Sequence, residues 1–270
     1  MTYPKTTPPG RFGIVNVESG PSRYAATMPL AGMCNPFTGA PSVAPLAILV
    51  DHIAGFANHA RRPAGHWTVS SELAIEFTPD AGAIVATDPA TPVVASSRAV
   101  GSAAATSLSV CDLSHGGIEI AVATVRTFYI AAAVHVPGAF DEPTDPSSPE
   151  LPTELAELMA VEVAESGGDT VVLHQGANPA VNNTLGAVHG GVAAAGLELV
   201  ASAALNTDRT APALRTASLR INYLRRLIGG GQSHYTATPL HIGRSSGVAE
   251  ARGIGDDGRL ALTARLTAYR

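Results

Sequence analysis

The chain has 270 residues, room for one large domain or two of ordinary size. Hydrophobic residues make up 46% and charged residues 14%, a balance that provides for a large core and excludes wholesale disorder. The net charge of -5 argues against nucleic acid, whose binders carry a basic surface.

In chain order, strand-like material comes first, at Phe12 to Val17 and Arg23 to Met28. Val43 to Arg61 then reads as a helix, preceded by Pro41 and Ser42 and ended before Arg62-Pro63. Thr68 to Phe77 carries Val69, Leu73, Ile75 and Phe77 at the period of two of a half-buried strand. Ile84 to Ala95, Ala99 to Cys111 and Ile118 to Ile130 read as three further strands. His115-Gly116-Gly117 lies between alternating segments and is read as a hairpin turn. The stretch from Pro137 to Pro152 holds five prolines with several acids, a linker composition.

The second half repeats that order. Met159 to Ala164 and Thr170 to His174 are short strand-like pieces, followed by a helix over Val188 to Asn206. Strands are predicted at Leu214 to Leu224, Ser233 to Ile242, Gly247 to Ile254 and Leu260 to Tyr269, with Asp-Asp-Gly-Arg as the last hairpin turn. The offset between the halves is 147 at the helix (Ser42 to His189, Asp51 to Glu198) and 146 at the next strand (Ser70 to Thr216, Phe77 to Tyr223). The expected organisation is thus an N-terminal unit over 11–136, a linker over 137–152 and a C-terminal unit over 153–270.

Ala187 to Leu205 is almost wholly apolar and long enough to span a bilayer. It contains His189 and Glu198 and has no flanking aromatic or basic anchors, so it is read as a helix buried in a globular core. Cys34 and Cys111 are too few for a disulfide framework and lack metal-ligand spacing, so they read as reduced structural thiols. The first ten residues lack the basic-then-apolar pattern of a secretory signal, which makes a cytoplasmic location the expectation.

Asn183-Thr-Leu-Gly-Ala-Val-His189-Gly190-Gly191-Val, then Glu198, Thr216 and Asn222-Tyr223, resembles the phenylacetate-degradation (PaaI-like) type of hotdog thioesterase. The resemblance covers about 110 residues of the second half. The first half looks like a diverged copy, with Gly39, Ser42, Asp51, Ser70 and Phe77 at equivalent places. It departs at Ser42, where the family has His, and at Asn35, one residue out of register. The resemblance implies an α+β fold of two tandem hotdog units, each an antiparallel sheet wrapped around a long helix and paired like a dimer. It also implies an acyl-CoA substrate with no metal or separate cofactor.

The chemistry suits these residues. Negative charge growing on a thioester oxygen is attracted to unpaired amides at a helix N-terminus, and glycine lets the acyl group approach them. One such donor contributes roughly 3 kcal/mol to the transition state. A carboxylate serves as base or nucleophile. Glu198 cannot serve the amides of its own helix. Nine residues advance roughly 13 Å and about 900°, which leaves His189 and Glu198 on opposite faces. The expected site is therefore composite, with Asn183, His189, Gly190 and Gly191 from the second half and Asp51 and Ser70 from the first. A pseudo-equivalent site combines Glu198 and Thr216 with Asn35 and the Ser42–Val43 amides. His52, next to Asp51 in sequence, points elsewhere on the helix and is not expected to be its partner.

Arg225, Arg226 and Arg244 are candidates for the phosphates of coenzyme A. Gly229-Gly230-Gly231 lacks the Lys-Ser or Lys-Thr of a phosphate loop. Two further readings are an acyl-CoA binding module, which needs the groove but not the acids, and an enoyl hydratase on the same fold. No nucleic acid or membrane partner is expected, and a homodimer of chains is possible.

Overall fold

The computed structural model describes residues 1–20, 22–131, 151–164, 170–207 and 213–270. Residues 137–150 of the expected linker lie outside the described residues. In chain order the first half runs α1 (Pro8–Arg11), β1 (Val15–Ser19), β2 (Tyr24–Met28), α2 (Leu46–His59) and β3 (His66–Phe77). It continues with α3 (Ala81–Thr87), β4 (Val93–Val100), β5 (Thr106–His115) and β6 (Ile118–Ala131). The second half has α4 (Leu155–Met159), β7 (Val161–Val163), β8 (Val171–Gln175), a 3-10 turn at Pro179–Val181, α5 (Gly190–Leu205) and β9 (Arg215–Tyr223). It ends with β10 (His234–Ile242), β11 (Ser246–Ile254) and β12 (Leu260–Tyr269).

The twelve strands among the described residues form one antiparallel sheet, in the order β1-β2-β4-β5-β6-β3-β9-β12-β11-β10-β8-β7. Read outward from the β3–β9 seam, the two sides use the same order of equivalent strands. Across the seam Glu72 to Glu76 pair with Asn222 to Ser218, and an Arg220–Glu76 ion pair straps its exposed face. Each side of the sheet curls over one long helix, and the two helices touch. Leu46, Ile48, Leu49, Val50 and Ile53 of α2 are fully buried, as are Val192, Leu197, Leu199 and Val200 of α5. Helices enclosed this completely need apolar residues on nearly every face, which explains the membrane-like composition of 187–205. No described helix is long and apolar enough to cross a membrane.

The contact between the helices is close because Gly191 carries no side chain. A Cβ there would stand 2.5 Å from the Cα of Ile48 and 2.8 Å from the carbonyl of Ala47. The start of α5 is thereby driven into the flank of α2, beside Asp51.

Three of the expected strands are interrupted in the structure. The expected strand Ile84 to Ala95 is split into α3 and β4. Ala81 and Val85 are buried one helical turn apart, while Pro89 and Pro92 interrupt the run before β4 begins. The expected strand Ala99 to Cys111 is likewise cut after Val100 by Gly101, whose φ is 64°. The third difference bears on the site. β3 does not keep one alternation from Val69 to Phe77, because a bulge at Ser71 shifts the register between Ser70 and Glu72. His115 closes β5, and Gly116 and Gly117, with φ of 56° and 82°, make the tight turn into β6.

Candidate active site

The bulge in β3 decides what faces α2. Leu73 and Ile75 turn toward the core, and uninterrupted alternation would send Ser71 and Val69 after them. The extra residue instead turns Ser70 and Thr68 inward. Ser70 donates from Oγ to Oδ1 of Asp51 at 2.7 Å, and Thr68 meets Nδ1 of His59 at 2.7 Å. The same irregularity recurs in β9, where pairing shifts between Ser218 and Thr216. That second bulge turns Thr216 toward Glu198, whose Oε1 accepts its hydroxyl at 2.5 Å.

From the other half, α5 brings its N-terminus to Asp51. The Gly191 amide donates to Oδ2 of Asp51 at 2.8 Å and shares its hydrogen with Nδ1 of His189 at 3.1 Å. His189 caps α5 through that contact, and its Nδ1 stands 3.4 Å from Oδ2 of Asp51. With Nδ1 accepting, the ring proton sits on Nε2. Burial lowers the His189 pKa while Asp51 pulls it up, and burial is the larger effect. The ring is therefore neutral near pH 7.

The two glycines have different roles. Gly191 is buried and its amide is committed to Asp51, so the expectation that both amides face the acyl group is corrected for this one. Gly190 lines the cavity, and among the described residues no acceptor takes its amide. A Cβ at Gly190 would stand 2.7 Å from Oδ2 of Asp51, so only glycine leaves both groups where they are. The Gly190 carbonyl accepts the hydroxyl of Tyr223 at 3.0 Å, which fixes the orientation of this first peptide of the helix. Tyr223 is half-buried and its pKa is raised by desolvation, so the hydroxyl keeps its proton. The motif that carries the resemblance contains Asn222-Tyr223, but spacing alone gives no sign of this bond.

Asn183 shapes the approach to α5. Its Oδ1 accepts the amides of Leu185 at 2.9 Å and Ala187 at 3.2 Å, closing the loop before His189. The first half contains the same loop one residue longer. Asn35 takes the Phe37 amide at 2.9 Å, and Gly39 turns with φ of 72° where Gly186 has 74°. That insertion is the physical source of the one-residue slip at Asn35.

A cavity of about 1220 Å³ opens beside this cluster. Asp51, His52, Gly55, Phe56 and His59 line it from α2, Trp67 to Ser71 from β3, and Thr127 to Ala131 from β6. The second half adds Asn183, His189, Gly190 and Tyr223, and Tyr3, Thr7, Pro8 and Pro9 complete the wall. Six of the chain's thirteen Phe, Tyr and Trp residues line it, so the low overall aromatic content is a poor guide to this wall. Arg225 and Arg226 stand exposed at its rim, whereas Arg244 lies in the β10–β11 turn and is not among the lining residues. His52 turns away from Asp51 to donate from Nε2 to Oδ1 of Asn16 at 3.0 Å, and burial lowers its pKa to about 3. No group of three or more His, Cys, Asp or Glu side chains suited to a metal ion occurs among the described residues.

The expected second site is assembled differently. Glu198 is buried and bonds to Thr216 and, more weakly, to Ser202 at 3.5 Å. Burial raises its pKa to about 7. At the start of α2 the Ala44 amide, equivalent to that of Gly191, bonds to Ser42 Oγ at 3.1 Å instead of to Glu198. Asn35 crosses to the Leu199 carbonyl at 3.1 Å and to Ser202 Oγ at 3.0 Å. Glu198 and Asn35 thus share Ser202 as a partner, but among the described residues Glu198 makes no bond to the amides of α2.

Comparison with known proteins bears on these elements. Residues 185–262 match the sequence model of a family described as Thioesterase superfamily. The fold resembles that of the tesB protein of Mycobacterium avium subspecies paratuberculosis, with a TM-score of 0.61 and 12% identity over 94% of both chains. It also resembles an acyl-CoA thioesterase II, TesB2, from Mycobacterium marinum, with a TM-score of 0.58 and 10% identity over 96% of this chain and 94% of that one. A hot dog fold protein from Alicyclobacillus acidocaldarius gives a TM-score of 0.56 and 13% identity over 94% and 95%. At such identities the likeness establishes the fold, which is a hotdog fold. A search of curated proteins found no match.

Proposed function

We propose that this chain is an acyl-CoA thioesterase of the PaaI-like type, built as two tandem hotdog units over residues 11–136 and 153–270. One observation carries this reading. Asp51 of the first half lies against the N-terminus of the second half's central helix, with Oδ2 2.8 Å from the Gly191 amide, on the wall of a large cavity. The match of residues 185–262 to the thioesterase superfamily supports the same chemistry.

In this reading the thioester oxygen takes the Gly190 amide, whose hydrogen points where negative charge develops. Ser70 and the Gly191 amide hold the Asp51 carboxylate in one orientation beside the carbonyl carbon. Asp51 then either takes a proton from a water that attacks that carbon and passes it to the leaving sulfur, or attacks the carbon itself to form a mixed anhydride that a water then hydrolyses, the water's proton neutralising the thiolate. The carbon–sulfur bond breaks, coenzyme A leaves as its thiol, and the acyl group departs as a carboxylic acid. Tyr223, His189 and Asn183 act as positioning residues that keep the Gly190 peptide and its loop in place. Arg225 and Arg226 at the rim meet coenzyme A phosphates.

The Glu198 side, with Thr216, Asn35 and Ser42, is assigned a structural role. The same reading places the enzyme in the cytoplasm, with coenzyme A entering only as part of the substrate and neither nucleic acid nor membrane as partner. Two such chains can associate as a homodimer.

A thiol-release assay over a panel of acyl-CoAs, run on wild type, Asp51→Asn and Glu198→Gln, tests the assignment. Release by wild type and by Glu198→Gln, with loss in Asp51→Asn, is expected. Equal release by all three would sink it, and tight acyl-CoA binding without release would make the chain a binding module. Hydration of an enoyl-CoA without thiol release would point to the hydratase.

A further inference from the structure

We propose that Tyr3 is a specificity-determining residue that limits the size of the acyl group, held for that task on the segment before β1. The inference rests on the thioesterase reading and deepens it from the reaction to the selection of substrate.

The segment is built to stay in place. Gly10 packs so closely onto it that a Cβ would stand 2.0 Å from the carbonyl oxygen of Pro4 and 2.6 Å from that of Tyr3. Thr7 donates to the Pro4 carbonyl at 2.7 Å and caps α1. Arg11 reaches across to the other half, where its Nε donates to the Leu158 carbonyl at 2.6 Å and its Nη2 to the Glu157 carbonyl at 2.7 Å. Those carbonyls belong to the end of α4, so α1 is tied to both halves.

The ring of Tyr3 is then fixed from two sides. It meets His52 edge to face, with centroids 5.1 Å apart and planes at 85°. Its oxygen accepts from Nδ2 of Asn16 at 2.5 Å, and Oδ1 of the same Asn16 takes the His52 proton. Tyr3 is 4% exposed and His52 8%. Pro8 and Pro9 continue this wall of the cavity, and their closed rings leave the backbone little freedom to swing aside. His52 follows Asp51 in the chain, so the wall begins beside the acid.

Space lies in front of it. Gly55 stands one helical turn beyond Asp51 on the same face of α2, and no atom comes within 4 Å of where its Cβ would be. Gly55 and Tyr3 line the same cavity as Asp51. The other half shows this framework closed. There Leu199 and Ser202 take the places of His52 and Gly55. Leu199 is fully buried, and Ser202 is bonded to Asn35 at 3.0 Å.

Charge decides which end of the substrate meets Tyr3. Arg225 and Arg226 stand at the exposed rim, where phosphates find both cations and water. The wall of Tyr3, His52, Pro8 and Pro9 is buried and uncharged. Burial keeps His52 neutral and pushes the Tyr3 hydroxyl up to about 12. An anion there would be desolvated without a partner, so this wall takes the uncharged acyl group. A wall that cannot yield selects by size.

The test uses the whole chain and two unhydrolysable thioethers of coenzyme A, S-butyl and S-dodecyl, with Kd measured by calorimetry and thiol release followed on the matching acyl-CoAs. Tyr3→Ala opens the compartment and is expected to shift the ratio of the two constants toward the longer ligand by about tenfold or more, the effect of giving even one methylene a pocket. Tyr3→Phe keeps the ring and the wild-type ratio. Gly55→Ala fills the open space and shifts the ratio the other way; it reads the same compartment if circular dichroism shows Tyr3→Ala to be unfolded. Equal weakening of both ligands in Tyr3→Ala, or an unchanged ratio in Gly55→Ala, overturns the proposal and makes the segment structural only. The expected shifts in Kd without thiol release leave the wall standing and remove the hydrolase. Thiol release with unchanged ratios does the reverse. Failure of wild type to bind either thioether overturns both.

Discussion

Asp51 and Glu198 occupy equivalent places on equivalent helices, and each accepts a hydroxyl turned inward by the same bulge in the following strand. What differs is the helix end that each meets. Asp51 meets the amide of Gly191, where the lack of a side chain lets α5 press against α2. Glu198 bonds only to hydroxyls, those of Thr216 and Ser202, while at the start of α2 the Ala44 amide goes to Ser42. A carboxylate kept in this fold without amide donors becomes a protonatable core residue; one kept with them faces a cavity. The difference between the halves lies in the loops before the helices, not in the acids.

Five measurements probe that contrast, starting with the largest effect. Asp51→Asn should cost roughly 100-fold or more in kcat/KM, about 3 kcal/mol or beyond. Glu198→Gln should leave turnover intact, and a matching loss would erase the distinction between the halves.

Stability should separate the acids the other way. Burial raises the Glu198 pKa from 4.5 to about 7 in the folded chain. The unfolded chain therefore gives up this proton first as pH rises. The group costs nothing below about pH 4.5, and the folded state loses stability between there and about pH 7. The full penalty is roughly 3 kcal/mol as an order of magnitude. Glu198→Gln should remove this pH-dependent loss, so that urea unfolding at pH 5 and pH 8 shows a smaller difference for the variant than for wild type. Identical pH slopes in the two proteins would contradict the burial argument.

Gly190→Ala should lower kcat/KM by about ten- to thirtyfold, roughly 1.5–2 kcal/mol, because the new methyl displaces the carboxylate from the amide it serves. Tyr223→Phe gives the second half the residue that the first half has at Phe77. Losing the bond to the Gly190 carbonyl should cost about 1 kcal/mol, read as a several-fold drop in kcat with the fold intact. A larger fall in Tyr223→Phe than in Asp51→Asn would make Tyr223 the centre of the chemistry.

Much of the fold was legible because periodicity and offset are properties of the sequence itself. Two helices and most strands followed from apolar spacing. What escaped were features that depend on a partner in space. The bulge at Ser71 has no local signature, since Val69, Leu73 and Ile75 still look like one alternating run. Only pairing with β6 shows that the face changes at Ser70. The slip at Asn35 became a one-residue loop insertion once both loops could be laid side by side. The Ile84 segment differs for another reason: a short Ala-rich helix and a strand share the same apolar letters, and only Pro89 and Pro92 mark the break between them. At the site, sequence alone could not divide the work between Gly190 and Gly191, because that division is set by Ile48 on the other helix.

The β3–β9 pairing brings one more consequence. When two separate subunits meet along such a seam, each must keep a working surface, since every change appears twice. Here both sides of the seam are one polypeptide, so the halves stay together at any dilution and a change in one need not be mirrored in the other. On the proposed function, one half can then serve as scaffolding for the other's site, and activity per chain should not depend on protein concentration.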